Sequence, residues 1–158
     1  MIWKVAVGVA ALSFLEAAAA GPAEEAQAAF TKFFPAFVAY NQNAVAAMFA
    51  PDGQFYGTLS PQLVTTPEGV QRYFTAALNR PDRVVATPLQ LDSKALSDTV
   101  VLVAGQWKVD RTLDDKTVSG GPYRVTAVMQ KRRDVWTVVQ FHNSPLPAAT
   151  APQPPASR

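Results

Sequence analysis

The stretch PYRVTAVMQK (122–131), closed by Arg132-Arg133-Asp134 and answered by VWTVVQFHNS (135–144), decides how this chain folds. It is rich in Val, Thr and aromatic residues, reads with a period of two, and breaks once at a charged tip, so it reads as two antiparallel strands joined by a tight turn. Moving outward, 83–91 and 99–111 carry the same period between turn signals. Together the four segments predict a meander of strands.

Upstream the period changes. Phe30, Phe33, Phe34 and Phe37 fall at i, i+3, i+4 and i+7, one stripe of an amphipathic helix, with Pro35 predicting a kink or a restart inside it. Val45, Met48 and Phe49 predict a second short helix running into the turn signal Pro51-Asp52-Gly53. Residues 54–58 then alternate as a strand. Thr66-Pro67-Glu68 supplies a cap, a proline at the first helical position and an acid in the first turn, ahead of Val70, Tyr73, Phe74, Ala77 and Leu78 at helical spacing. Helices first and strands after define an α+β class: N-terminal helices packed on one face of a curved antiparallel sheet of about four to five strands. Such a sheet leaves a cleft on its covered side. Its other face also carries apolar residues, for which the simplest cover is a symmetric homodimer.

The two ends read differently. Met1-Ile2-Trp3-Lys4, an apolar run from Val5 to Leu15 and the small residues Ala17 to Ala20 have the pattern of a secretory signal peptide over 1–20, with cleavage expected after Ala20. The run is too short to span a bilayer, so no stable membrane insertion is expected after cleavage, and a periplasmic or secreted location follows. The prolines of 148–158 predict a disordered Pro/Ala tail, leaving 23–147 as one folded domain.

Composition removes several functions. The 158 residues contain no cysteine and one histidine, which excludes disulfides, thiolate nucleophiles and a His-rich zinc site within one chain. A formal charge of +2 without a basic stripe argues against nucleic acid. No cofactor motif is present; Asp114-Asp115-Lys116 and Ser119-Gly120-Gly121 read as loops, and Gly120-Gly121 lacks phosphate-loop spacing and a following helix. The expectation is therefore no metal and no cofactor.

Six residues stand out as site candidates. His142 is the only side chain whose unperturbed pKa lies near neutrality, and is either an acid or base or a packed strand residue. By strict alternation it shares a face with Trp136, Val138 and Gln140, whereas Asn143 shares one with Phe141, Val139 and Thr137, and a single bulge would exchange the two. Arg124, on a strand of apolar and small residues, needs an anionic ligand or an internal acid among Asp92, Asp98 and Asp110. Tyr56, Tyr73 and Trp107, with Tyr40, are core or the lining of an aromatic cleft. Lys131 to Asp134 reads as a solvated hairpin tip.

The segment Tyr123-Arg124-Val125-Thr126-Ala127-Val128, then Trp136, Val138-Val139 and Phe141-His142-Asn143-Ser144-Pro145, resembles the closing hairpin of nuclear transport factor 2-like, or SnoaL-like, proteins. It is also similar to the association (hub) domain of calcium/calmodulin-dependent protein kinase type II. Met48 to Phe55, Pro67-Glu68-Gly69-Val70 and Tyr73-Phe74 fit the same superfamily. The resemblance implies a cystatin-like cone, but hosts isomerases, dehydratases, cyclases, binding proteins and oligomerisation modules alike, including SgcJ/EcaC-type relatives labelled oxidoreductases. Ala127 and Asn143 stand where two hub arginines would fall, and 54–58 lacks the aspartate base of the ketosteroid isomerase-like branch. The leading expectation is an exported homodimer whose cone binds a small, largely apolar molecule. The alternatives are a cofactor-independent isomerase or cyclase with His142 as base, and a hub-like module assembling into a ring. Both His142 and Arg124 inside would favour the enzyme, both outside assembly, and a split binding.

Overall fold

The computed structural model describes residues 20–147; the proposed signal peptide, apart from Ala20, and the Pro/Ala tail lie outside them. The first helical segment is two helices, α1 (Pro22–Thr31) and α2 (Phe33–Val38), with the break at Lys32. Proline explains the position of the break. In a continuous helix the Pro35 ring would clash with the carbonyl of Thr31, whereas restarting after Lys32 puts Pro35 in a first turn, where no N–H is required. The aromatic stripe survives the break: Phe30, Phe33, Phe34 and Phe37 are all buried.

A third helix, α3 (Gln42–Ala46), is capped by Asn41, whose side chain accepts from the Ala44 N–H at 2.9 Å. The expected continuation through Met48 and Phe49 does not occur, because Phe49 already opens strand β1 (Phe49–Tyr56). Pro51-Asp52-Gly53 is accordingly no turn between elements. It is an irregularity within β1, where the register against the last strand moves from Phe49 opposite Val138 to Gln54 opposite Gln140. A Cβ at Gly53 would lie 3.0 Å from the Ala50 carbonyl and 3.1 Å from that of Val138, so the bulge brings two backbone carbonyls close and a larger residue would have to push them back by a few tenths of an ångström. Helix α4 (Pro67–Leu78) begins as its cap predicts, with Thr66 accepting from Gly69 N–H at 3.2 Å and Val70, Phe74 and Leu78 buried.

The meander is β2 (Arg83–Ser97), β3 (Val100–Leu113), β4 (Lys116–Arg132) and β5 (Val135–Pro145), in a five-stranded sheet of order β1-β5-β4-β3-β2. Strands β2 to β5 are antiparallel neighbours, while β1 joins β5 in parallel. Consecutive strands in hairpins must run antiparallel; β1 reaches β5 through α4 and the whole meander, so no hairpin sets its direction. β2 and β4 are longer than expected, and Ser119-Gly120-Gly121, read as loop, lies within β4. Only Asp114-Asp115 turns the chain there, both at positive φ, as Arg133-Asp134 do at the next hairpin. Two residues at positive φ make the turn whose twist matches the strands it joins.

The decisive irregularity is in β5. Val128 faces Gln140, yet Met129 faces Val138, so Val139 is an extra residue. Strict alternation therefore fails along β5. Val138, Phe141 and Asn143 all point to the helix-covered face, and His142 points away. The covered face is the core, crossed by the row Val103, Ala127, Phe141 and Phe55 from neighbouring strands.

Candidate functional site

Under α4 the covered face is not completely filled. A cavity of about 430 Å³ lies against Trp107, Tyr73, Phe74, Phe33 and Phe141, with the exposed Leu59 at its rim. Its volume is within the ordinary range for small-molecule sites. Trp107 sits between core and cavity, its ring centroid 5.7 Å from Phe33, 5.5 Å from Phe37 and 5.4 Å from Tyr123.

Polar groups in this wall are few and mutually tethered. Asn143, 6% exposed, accepts from Trp107 Nε1–H at 2.7 Å and donates through Nδ2 to Thr58 Oγ1. Both ends of its amide are thereby engaged, and the Trp107 ring is held in one orientation. The Tyr73 hydroxyl accepts from the Leu59 N–H at 3.4 Å, and burial pushes its phenol above the ordinary value, so it stays protonated at neutral pH. At the rim stand two arginines, Arg80 and Arg111. Behind them Asp82 Oδ2 lies 3.1 Å from Arg111 Nη1 and 3.5 Å from Arg80 Nε. Tyr40 donates its hydroxyl to the Asp82 backbone carbonyl and does not line the cavity.

The structure thus splits the six candidates. Trp107, Tyr73 and Asn143 come together at the cavity. His142, Arg124 and Tyr56 lie on the opposite, uncovered face, where Asp92, Ala104, Thr126, His142 and Tyr56 form one row across the five strands. His142 and Arg124 are exposed there, and the rings of His142 and Tyr56 are 6.0 Å apart. Arg124 makes no ion pair among the described residues, and Asp110, one of its expected partners, is held by Lys108 at 2.9 Å. The Val139 bulge is the reason His142 is outside.

The charged tip is more than a solvated turn. Arg132 clasps Asp52 with two bonds of 2.8 and 2.9 Å, tying the last hairpin to the β1 bulge. Lys131 and Trp136 Nε1–H both donate to Glu25 Oε2, at 2.8 and 3.0 Å, tying it to α1. These contacts hold Asp52 and Glu25 below the usual carboxylate range. Arg80 and Arg111 were not anticipated, although Arg111 has a visible signal: continuing the alternation Trp107, Val109 puts residue 111 on the same face. Arg80 has none, since it follows the end of α4.

The fold defines a class, the cystatin-like fold, which proteins described as nuclear transport factor 2-like share. Within that class the chain belongs to the SnoaL-like domain family, whose model matches residues 26–149. Among solved structures it is similar to a putative calcium/calmodulin-dependent protein kinase II association domain from Xanthomonas campestris. That match has 26% identity and a TM-score of 0.70, over 78% of this chain and 87% of the other. A kinase II hub homology domain from Chlamydomonas reinhardtii matches at 20% identity and a TM-score of 0.66, over 81% and 100%. A protein from Catenulispora acidiphila, solved in complex with S-DNPA, matches at 20% identity and a TM-score of 0.67, over 76% and 90%. No curated protein matches the sequence.

Proposed function

We propose that this domain binds a small, largely apolar molecule in the cone between α4 and the sheet. The observation that carries the reading is the cavity of about 430 Å³ walled by Trp107, Tyr73, Phe74 and other rings. Aromatic walls with a few fixed polar groups suit a flat ligand: the rings supply area, and the tethered groups orient it. Proton-transfer chemistry has less support. Its expected base, His142, faces away from the cavity, and no histidine, aspartate or glutamate is among the residues lining it.

A second reading concerns the outer face. His142 and Arg124 both point outward, the arrangement expected of a sheet that pairs with another copy, so self-association through that face is proposed alongside ligand binding. Two of the similar structures are association or hub domains, which accords with this. The leader-like composition of residues 1–20 supports an exported protein, whose mature form would begin at Gly21. Mass spectrometry of protein from the periplasmic fraction tests this: a mature start at Gly21 is expected, an intact Met1 there would contradict a cleaved signal peptide, and absence of the protein from that fraction would contradict export.

The cavity is tested with the uncharged fluorophore N-phenyl-1-naphthylamine. One saturable site is expected, and Ala77→Trp, which puts an indole into the cavity from α4, should abolish it while circular dichroism is unchanged. Absence of saturable binding, or binding that survives in the folded variant, would refute the reading.

A further inference from the structure

The cavity wall carries a few tethered neutral polar groups, and its charged groups stand at one side of its rim, where the charge has a single sign. Arg80 and Arg111 are the only charged residues among those lining it. They come from unrelated places, the segment after α4 and the end of β3, and converge on one carboxylate, Asp82. That carboxylate is 6% exposed and meets both cations through the same oxygen, Oδ2; its other oxygen, Oδ1, is buried without a donor. Two guanidinium groups against one carboxylate leave one net positive charge beside an aromatic cavity.

A guanidinium has five N–H donors in a planar fork. Asp82 occupies Arg111 Nη1 and approaches Arg80 Nε, and no other side-chain bond to either arginine is present among the described residues. One arginine would suffice to neutralise Asp82. The second adds a cation and unused donors at the cavity mouth; Arg111 is the more sheltered of the two and Arg80, 56% exposed, is the more screened by solvent. A planar carboxylate matches the fork geometry, and an excess of one charge matches a monoanion.

Building on the cavity reading above, we propose that the ligand is a small aromatic or similarly flat monocarboxylate, with its body against Trp107 and its carboxylate held at the rim by Arg80 and Arg111. Asp82 acts as a positioning residue that holds the two guanidinium groups together from behind.

The test compares two ligands of one shape, 2-naphthoate and its neutral analogue 2-naphthamide, by isothermal titration calorimetry on the mature 21–158 chain and its variants. The native protein should bind naphthoate about tenfold more tightly than naphthamide, the scale of one charge-assisted contact. That preference should shrink as salt is raised. Arg80→Gln and Arg111→Gln should each reduce the ratio towards one by weakening naphthoate while leaving naphthamide unchanged. Arg111→Gln removes the nearer partner of a buried carboxylate and could unfold the domain. Arg80→Gln keeps the Arg111–Asp82 pair, changes a residue whose side chain is 56% exposed, and carries the test alone if necessary. Equal binding of the two ligands, or a preference that persists in Arg80→Gln, would overturn the carboxylate proposal while the cavity reading stands. Failure of both ligands to bind would remove the cavity reading and this proposal with it.

Discussion

Replacing Asn143 with alanine should be among the most costly polar substitutions in this domain, and the cost can be worked from its contacts. The side chain is 6% exposed and makes two bonds, accepting from Trp107 Nε1–H at 2.7 Å and donating to Thr58. Alanine leaves the indole N–H, in a residue only 4% exposed, without its acceptor. An orphaned buried donor costs about 1–3 kcal/mol, and loss of the bond to Thr58 adds about 0.5–1.5 kcal/mol. The expected destabilisation is therefore about 1.5–4.5 kcal/mol, read as a lower urea midpoint with the slope unchanged. A double-mutant cycle with Trp107→Phe isolates the contact, since phenylalanine has no N–H to orphan. The double variant should be less damaged than the sum of the singles by about 1 kcal/mol or more. Strictly additive losses, or an Asn143→Ala cost below about 0.5 kcal/mol, would refute the claim that this bond anchors the cavity wall.

Two further predictions concern the clasps and the outer face. Glu25 is held below its ordinary pKa, first by the Lys131 bond and then by Trp136, so its ionised form favours the fold; that contribution is present above the ordinary carboxylate range and is lost as pH falls through the lowered value. Melting temperatures of the native protein and Glu25→Gln should therefore differ near neutral pH and converge on acidification, and a gap that stays constant to low pH would contradict the assignment. His142→Ala and Arg124→Ala, both on the uncovered face, should leave N-phenyl-1-naphthylamine binding unchanged while weakening self-association in light scattering. A native protein that is monomeric at micromolar concentration would remove the outer-face argument.

Much of the scaffold was legible because local chemistry and tertiary need agree there. The stripe from Phe30 to Phe37 must cover a core, Thr66-Pro67-Glu68 can hardly do anything but start a helix, and the period of two after Arg83 gives the meander. Local signals were misread where a bulge and a turn share the same chemistry: Pro51-Asp52-Gly53 bends β1 without ending it, and Gly120-Gly121 does the same in β4. The larger loss came from Val139. Nothing in VWTVVQFHNS marks that residue as supernumerary, because a bulge is defined by the partner strand, yet it decides that Asn143 faces the cavity and His142 does not. Tyr73 and Trp107 do border the cavity, as large aromatics on core faces often do, whereas Tyr56, chosen on the same ground, lies on the outer face. Arg80 was missed because a residue just past a helix end has no periodicity to place it.

The central claim, that the ligand site is the cone and not the outer sheet face, is tested most directly by titrating 2-naphthamide into isotopically labelled protein and following amide shifts by NMR. The account predicts that the Trp107 indole N–H, the Asn143 side-chain amide and the backbone around Leu59 move together and saturate, while Thr126 and His142 stay in place. Shifts confined to the row from Asp92 to Tyr56, with the Trp107 indole unmoved, would contradict it.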